Sequence, residues 1–272
     1  MPDFLLRRAA EEMADRLAAV KRDFAPVLAV GAVPGLLGET MPGLGGGAQI
    51  EMASSPALLP PAGKPLRLCG DEEALPFKDG SLGLVISGLT LQFANDLPGA
   101  LVQIRRALKA DGLFLGAVLG GQTLTELRDA FITAETEEEG GASPRVAPMA
   151  DVRDYGGLMQ RAGFALPVVD ADVVTVTYAS PLGLFRDLRG MGATNALLAR
   201  RKTFLRRATL ARTLEIYQER YAAGGGRIKA SFEIIYLAGW APHDSQQKPL
   251  KPGSAAARLA DALGVQEHRL KS

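Results

Sequence analysis

The sequence contains few of the residues that form disulfides and metal centres. Its 272 residues include one cysteine and two histidines. Cys69 cannot form a disulfide within the chain, and its apolar neighbours favour a buried thiol over a nucleophile. His243 and His268 lie in a predicted loop and a predicted tail, so the chain lacks a ligand set typical of zinc sites. We therefore expect no metal and no disulfide.

An excess of charge of one sign is missing as well. The 31 lysine and arginine residues nearly balance the 30 aspartate and glutamate residues, and the net charge is +1. This balance gives no overall attraction to nucleic acid or to an anionic membrane. One basic cluster in a predicted helical region is interpreted as a solvated or partner-facing surface rather than a nucleic-acid site, because it lacks interleaved aromatic residues. The cluster comprises Arg200, Arg201, Lys202, Arg206 and Arg207.

Long apolar runs are also absent. No stretch of about 18 apolar residues is available to span a bilayer. Residues 1–24 alternate basic and acidic side chains, which is atypical of a transit peptide, and they lack the apolar core of a signal peptide. We therefore expect a cytoplasmic protein without a transmembrane segment.

The remaining composition fits a folded domain, and the segment from Gly70 to Gly121 indicates its architecture. Hydrophobic residues make up 47% of the chain, which is enough for a substantial core. Residues 82–87 form an apolar run typical of a strand buried on both faces. Asp96 can cap a helix that ends at residues 109–112, and residues 113–119 form the next strand. Because parallel strands joined by a helix cross over in a right-handed sense, the segment predicts a doubly wound, mostly parallel α/β sheet.

The rest of the chain supplies further elements of the same kind. A final strand over residues 230–240 follows a helical insertion over residues 181–226, so we expect this strand to join the sheet antiparallel. Residues 1–240 are expected to form one domain, and residues 241–272 a loop and tail. Hydrophobic periodicity predicts helices at residues 3–24, 122–138 and 151–162, and strands at residues 27–30, 48–52, 65–69 and 168–178.

Several stretches resemble a known family. Residues 71–81, Asp-Glu-Glu-Ala-Leu-Pro-Phe-Lys-Asp-Gly-Ser, and the following LGLVISGLTLQFANDLPGAL resemble the loop after strand three, strand four and the next helix of class I S-adenosylmethionine-dependent methyltransferases. GGQTLTELRDAFITAETEEEGGASPRVAPMADVRDYGGLMQRAGF and GWAPHDSQQKP resemble the branch that contains the mitochondrial assembly factor of respiratory complex I and its alphaproteobacterial relatives. A more distant likeness is to the methyltransferase that esterifies malonyl carrier protein. The resemblance covers nearly the whole chain.

The resemblance implies a sheet of the class I methyltransferase type and S-adenosylmethionine as the cofactor. Glycines after strand one would let the backbone approach the methionine part of the cofactor, since glycine has no Cβ. Glu51 at the end of strand two would accept from the ribose hydroxyls, and Asp71 from the adenine amino group. A solvated loop acid explains Glu51 equally well. The implied cofactor-binding residues are Gly31, Ala32, Gly35, Glu51, Asp71, Glu72, Ser87 and Gly88.

The sequence departs from the family's pattern at the first glycine turn. Ala29 replaces the usual acidic residue, Val33 adds a β-branched side chain at the closest backbone approach, and Pro34 lacks an amide donor. Gly83 stands where strand four commonly carries an aspartate. These departures predict weakened cofactor binding. They leave two alternatives, an active methyltransferase and a non-catalytic assembly or scaffold protein that keeps the fold.

The acceptor site is implied by position alone. Gln92 and the branch-specific segment after strand five would face the acceptor, with Glu126, Arg128 and Arg145 as candidate substrate residues; helix-surface charges explain Glu126 and Arg128 equally well. No pattern identifies a catalytic acid or base, and methyl transfer needs mainly proximity and orientation. The acceptor is a protein or a small molecule, and the branch-specific segments favour a protein partner such as a respiratory complex subunit. Arginine hydroxylation, associated with the mitochondrial relative, is the alternative chemistry.

Overall fold

A computed structural model describes residues 3–31, 40–41, 47–59 and 65–247. Contacts divide the chain into two units, Met1–Pro242 and His243–Ser272. The structure describes only residues 243–247 of the second unit, where His243 Nδ1 lies 2.7 Å from Ser245 Oγ. The rest of the predicted tail lies outside the described residues. Within the described ranges, no helix is long and apolar enough to cross a membrane.

The first unit alternates helices and strands along the chain. Two short 3₁₀ turns span Pro56–Leu58 and Leu91–Phe93. The helices are α1 (Phe4–Ala18), α2 (Leu97–Ala107), α3 (Thr125–Glu139), α4 (Val152–Arg161), α5 (Pro181–Gly190) and α6 (Arg207–Arg220). The strands are β1 (Val27–Val30), β2 (Gln49–Ala53), β3 (Leu66–Cys69), β4 (Leu82–Gly88), β5 (Leu108–Leu119), β6 (Ala165–Tyr178) and β7 (Ile228–Trp240).

The strands form one sheet in the order β3-β2-β1-β4-β5-β7-β6. Neighbours from β3 to β5 pair in parallel, whereas β7 pairs antiparallel with both β5 and β6. The predicted doubly wound sheet with an antiparallel last strand is therefore confirmed. The chain winds outward from β1 to β3 and then returns to the other side of β1 at β4. This reversal places a crevice beyond the carboxyl ends of β1 and β4, where open α/β sheets bind ligands.

Helices cover both faces of the sheet, as the buried run in β4 predicts. On one face, α1, α3 and α6 pack on the strands through Met13, Phe131 and Tyr217. On the other, α2 and α4 pack through Ile104 and Met159. Asp96 caps α2 as expected, because its Oδ1 accepts a 2.9 Å hydrogen bond from the backbone amide of Gly99.

Two predicted element boundaries are wrong. Helix α1 ends at Ala18 rather than near residue 24. Residues 109–112, expected to end a helix, belong to β5, which begins directly after α2. The strand accommodates this start with a register shift opposite Leu82 and Leu84 and with Asp111 in a left-handed conformation, φ 62°. Pairing with strands distant in sequence decides this boundary, which local turn residues do not reveal.

The predicted helical insertion is two helices joined by a non-helical segment, residues 191–206. Part of the basic cluster lies in this segment and is tied to the body, since Arg201 forms an ion pair with Glu139. Cys69 is exposed rather than buried. It ends β3, an edge strand that pairs with β2 on one side and with no other described strand, and an edge strand lacks a strand neighbour on one side.

Candidate functional site

A cavity of about 360 Å³ lies at the carboxyl ends of the central strands. Its wall contains the residue after β1, Gly31, and the last residues of three other strands, Ala53 of β2, Gly88 of β4 and Leu119 of β5. We call it the glycine cavity, after Gly31 and Gly88. Its volume is in the range of small-molecule sites, about 300–1,000 Å³, and its place is the crevice at the strand reversal.

Both glycines are required by the geometry of the wall. Gly31 has φ +70°, and a Cβ added there would lie 2.0 Å from Thr90 Cγ2. Its amide donates to the carbonyl of Met52 at 2.9 Å, which holds the turn against β2. A Cβ on Gly88 would lie 2.8 Å from Leu6 Cδ1. The backbone itself therefore forms this part of the wall, as a closely approaching ligand requires.

The polar side chains of the glycine cavity are two carboxylates, two hydroxyls (Ser54 and Thr90) and one amide. Its charged lining side chains among the described residues are the carboxylates Asp3 and Glu72. Gln92 also lines the cavity; its Nε2 donates to the carbonyl of Leu89 at 2.6 Å, while its Oε1 is buried with no hydrogen-bond partner in the part of the chain that the structure describes. Asp3 Oδ2 already accepts from Arg7 Nη2 at 3.3 Å, whereas Glu72 forms no ion pair within the described residues. The Glu72 carboxylate therefore suits a ligand group with N–H donors or positive charge.

Apolar side chains from two distant parts of the chain close the cavity. Leu5 and Leu6 come from α1, and Met191 and Ala193 come from the segment after α5. Sequence reasoning identified the helix but not its place at the site. The usable signal is Leu6, an apolar residue that stays half-buried beside the core-facing Leu5.

Several of the implied cofactor residues meet at this cavity. Gly31, Glu72 and Gly88 line it. Ser87, which precedes the lining residue Gly88, is fully buried, and its Oγ lies 3.3 Å from Oγ1 of the lining residue Thr90. Ala32 and Gly35 lie outside the described residues, as do the turn residues Val33 and Pro34.

The structure does not bring Asp71 or Glu51 into the cavity wall. Asp71 Oδ1 accepts from the amide of Glu73 at 2.9 Å and so shapes the loop, while the adjacent Glu72 reaches the cavity. Glu51 lies inside β2, because the strand continues to Ala53, and Ala53 rather than Glu51 lines the cavity. Glu51 is buried, and burial raises the pKa of its carboxyl.

The structure gives different explanations for two departures from the family's sequence pattern, Ala29 and Gly83. Ala29 is a buried residue of β1 and provides no carboxylate. Gly83 lies at the amino end of β4, where an added Cβ would stand 2.7 Å from the amide nitrogen of Ala25. Glycine at position 83 is therefore a packing requirement at the end of the sheet opposite the cavity. It does not mark a lost cofactor ligand.

The candidate substrate residues divide between three places. Gln92 lines the glycine cavity. Glu126 is buried and accepts from Ser231 Oγ at 2.6 Å and from its amide at 3.1 Å, so it ties α3 to β7. Arg128 and Arg145 line a second cavity of about 440 Å³, which we call the Arg128 cavity.

A buried ion pair forms one side of the Arg128 cavity. Glu135 is fully buried and accepts from the Ser143 amide at 2.6 Å and from Arg145 Nε at 2.7 Å. Burial alone would raise the pKa of Glu135, but the hydrogen bonds from Ser143 and Arg145 outweigh burial and lower that pKa. Arg145 also stacks over Phe131, 5.7 Å from the ring centroid. This pairing was not foreseen from the sequence, where Arg145 is ten residues from its partner.

No metal centre is indicated by the described side chains. The structure contains no group of three or more histidine, cysteine, aspartate or glutamate residues placed to hold a metal ion in the ranges it describes.

The strand order and the position of the cavity are those of the class I methyltransferase fold. The family model described as "Methyltransferase domain" matches residues 45–116, which contain β2 to β4 and most of β5. The crystal structure of the YcgJ protein from Bacillus subtilis superimposes with a TM-score of 0.57 at 12% identity, covering 87% of this chain and 99% of that one. At this identity the likeness establishes the fold.

Two curated relatives give the family. A mouse protein, "Arginine-hydroxylase NDUFAF5, mitochondrial", is 38% identical over 276 residues, covering 99% of this chain and 80% of the mouse protein. The zebrafish protein of the same name is 48% identical over 191 residues, which is 70% of this chain and 59% of the zebrafish protein. The chain belongs to the NDUFAF5 family. Both relatives are named mitochondrial, which overturns our expectation of a cytoplasmic location.

Proposed function

We propose that this chain binds S-adenosylmethionine in the glycine cavity and modifies a cationic side chain, arginine, of a protein partner. The mouse and zebrafish relatives are both named arginine hydroxylases. The partner that the sequence resemblance favours is a subunit of respiratory complex I during its assembly. The observation that carries the proposal is the pair of carboxylates in the lining of the glycine cavity, Glu72 and the Arg7-paired Asp3.

This lining discriminates between acceptors. A guanidinium group presents five N–H donors and a positive charge, which carboxylates and an amide oxygen complement. The carboxylate of a malonyl group would meet Glu72, and the described lining residues include no basic side chain; like charges repel. The distant likeness to malonyl carrier protein methyltransferases is therefore a weaker guide to the acceptor than the NDUFAF5 family.

The described residues fit an adenosyl cofactor. Gly31 and Gly88 form a wall that a Cβ would obstruct, and Glu72 places a carboxylate on the loop after β3. When bound, S-adenosylmethionine supplies an electrophilic methyl group on a sulfonium centre. The protein's own part is to hold the acceptor nitrogen in line and to exclude water with Leu5, Leu6 and Met191.

A scaffold without turnover is the second candidate, and one observation favours it. Ala29 is buried in β1 and leaves the turn after this strand without the acidic residue usual in the family. A protein of this kind would keep the fold and the partner surface while binding the adenosyl group weakly. Cofactor affinity therefore separates the two candidates.

The first test measures cofactor binding by isothermal titration calorimetry with S-adenosylmethionine and S-adenosylhomocysteine. Loss of a charged acceptor costs about 1.5–3 kcal/mol, or roughly tenfold to a hundredfold in affinity, so Glu72→Gln should bind that much more weakly. Asp71→Asn is the matched control, because Asp71 lies next to Glu72 but does not line the cavity. An unchanged affinity in Glu72→Gln, with a loss in Asp71→Asn, would place the adenosyl group on the other carboxylate.

The second test examines the partner. The protein is incubated with S-adenosylmethionine and isolated complex I subunits, and a parallel incubation also contains dioxygen and a reductant, which hydroxylation requires. Mass spectrometry then distinguishes an added methyl group from an added oxygen atom on arginine. Modification that requires Gln92, in a variant whose affinity for S-adenosylmethionine is unchanged, supports the proposal. Stable capture of a subunit without cofactor binding or modification supports the scaffold, and modification of a small acid alone contradicts both.

A further inference from the structure

We infer that the Arg128 cavity binds an acidic side chain, with apolar neighbours, on the same partner segment that brings the cationic side chain to the glycine cavity. The identity of the segment rests on the proposed function. The chemistry of the Arg128 cavity itself, however, can be argued from its own charges and walls.

Among the described residues, the cavity contains one positive charge without a counter-ion. Arg145 is neutralised by Glu135, whose Oε1 lies 2.5 Å from Arg145 Nη2. Arg128 donates instead to two backbone carbonyls, those of Gly121 at 3.4 Å and Thr123 at 3.3 Å. No carboxylate pairs with Arg128 in the part of the chain that the structure describes. Both of its bonds are long and go to neutral carbonyls, so its planar group has donors left for a carboxylate.

The walls around Arg128 are apolar. Phe131 and Ile132 come from α3, and Val146 and Met149 come from the segment after it. Ile132 is 46% exposed although it is a large hydrophobic residue. Apolar walls strengthen an ion pair formed between them.

The two cavities lie at the same end of the sheet. Leu119, the last residue of β5, lines the glycine cavity, and Gly121 lines the Arg128 cavity. The segment after α5 links their walls, because Ala193 lines the glycine cavity and Asn195 Nδ2 donates at 2.7 Å to the carbonyl of Pro144, a residue of the Arg128 cavity. An acidic cavity beside a cationic one is complementary to a segment that carries a basic and an acidic residue a short distance apart.

The test uses labelled synthetic peptides and fluorescence anisotropy, with and without S-adenosylhomocysteine. One series carries an arginine and a glutamate at graded spacings in an apolar background, and a matched series replaces the glutamate by glutamine. At the preferred spacing, the parent protein should bind the glutamate peptide about tenfold more tightly or better. In Arg128→Gln this preference should vanish, because the change of arginine in the protein and the change of glutamate in the peptide remove the same ion pair. Arg128→Lys should retain part of the preference.

Arg153→Gln is the matched control, since Arg153 is exposed on α4 and lines neither cavity. It removes the same charge and should keep the full preference. Circular dichroism confirms that each variant is folded.

A third peptide series, with alanine in place of arginine, separates this inference from the proposed function. If the glutamate preference survives there and depends on Arg128, the Arg128 cavity is an acidic-residue site even if no arginine is modified. Equal binding of glutamate and glutamine peptides to the parent at every spacing, including no binding of either, overturns the inference. Loss of the preference in Arg153→Gln as strongly as in Arg128→Gln would also overturn it, because the effect would then be one of net charge.

Discussion

Removal of the Glu135 carboxylate should destabilise the fold more than any exposed charge on the same helix. The carboxylate accepts from the Ser143 amide at 2.6 Å, from Ser143 Oγ at 2.9 Å and from Arg145 Nε at 2.7 Å. Arg145 is only 17% exposed, so its charge cannot be resolvated without movement of the chain. Breaking a buried pair on one side costs about 3–5 kcal/mol, and we expect Glu135→Ala to lie in this range.

The assay is urea unfolding followed by circular dichroism. Glu138→Ala is the control, because Glu138 lies on the same helix and is exposed, where substitutions change stability by about 0.5 kcal/mol or less. Glu135→Ala combined with Arg145→Ala should cost less than the sum of the two single changes, since the second change removes the orphaned charge. A Glu135→Ala loss within about 1 kcal/mol of the Glu138→Ala value would refute the argument that this pair holds residues 143–145 on α3.

The pH dependence of a second variant, Glu135→Gln, gives an independent check. Because the pKa of Glu135 is lowered in the folded protein, its contribution is fully present above the ordinary glutamate value of about 4.3. The contribution is lost as the pH falls through the lower folded-state pKa. The stability difference between the parent and Glu135→Gln should therefore be constant near neutral pH and should narrow in acid. A difference that widens on acidification would contradict the assigned direction.

Two further perturbations follow from the geometry of the glycine cavity and its neighbour β2. Burial raises the pKa of Glu51, so the folded protein is less stable above that pKa than it would be with a neutral side chain. Glu51→Gln should accordingly raise the free energy of unfolding at pH 7, measured by urea, by about 1–3 kcal/mol. This gain in stability should shrink as the pH falls. A loss of stability at pH 7 would show that the carboxylate has a stabilising partner. Gly31→Ala should cost more than Gly80→Ala. Both glycines have a positive φ, but a Cβ at position 31 would lie 2.0 Å from Thr90 Cγ2 whereas position 80 has no atom within 4 Å. Left-handed strain alone costs about 1–3 kcal/mol at either position. Equal losses of stability for Gly31→Ala and Gly80→Ala in thermal unfolding would therefore remove the steric part of the argument. Unchanged binding of S-adenosylhomocysteine by Gly31→Ala would place the ligand elsewhere.

The sequence alone determined the features that depend on local patterns. The apolar run of β4 identified a strand buried on both faces, and Asp96 marked the start of α2, because burial periodicity and capping act over a few residues. Period-two alternation in β7 after a helical stretch indicated an added antiparallel strand. The cavity residues Gly31, Glu72 and Gly88 were reached through a family resemblance rather than through local pattern.

The tertiary structure decided the features that depend on contacts between distant residues. The end of β2, and so whether Glu51 or Ala53 reaches the cavity, is set by pairing with β1 and β3. The exposure of Cys69 follows from the edge position of β3. Leu6 lines the glycine cavity because α1 packs near the end of β4, about eighty residues away in sequence. Which cations are neutralised and which are not, as with Arg145 and Arg128, is likewise a property of packed neighbours, because charge in a sequence carries no information about the partner that folding will place beside it.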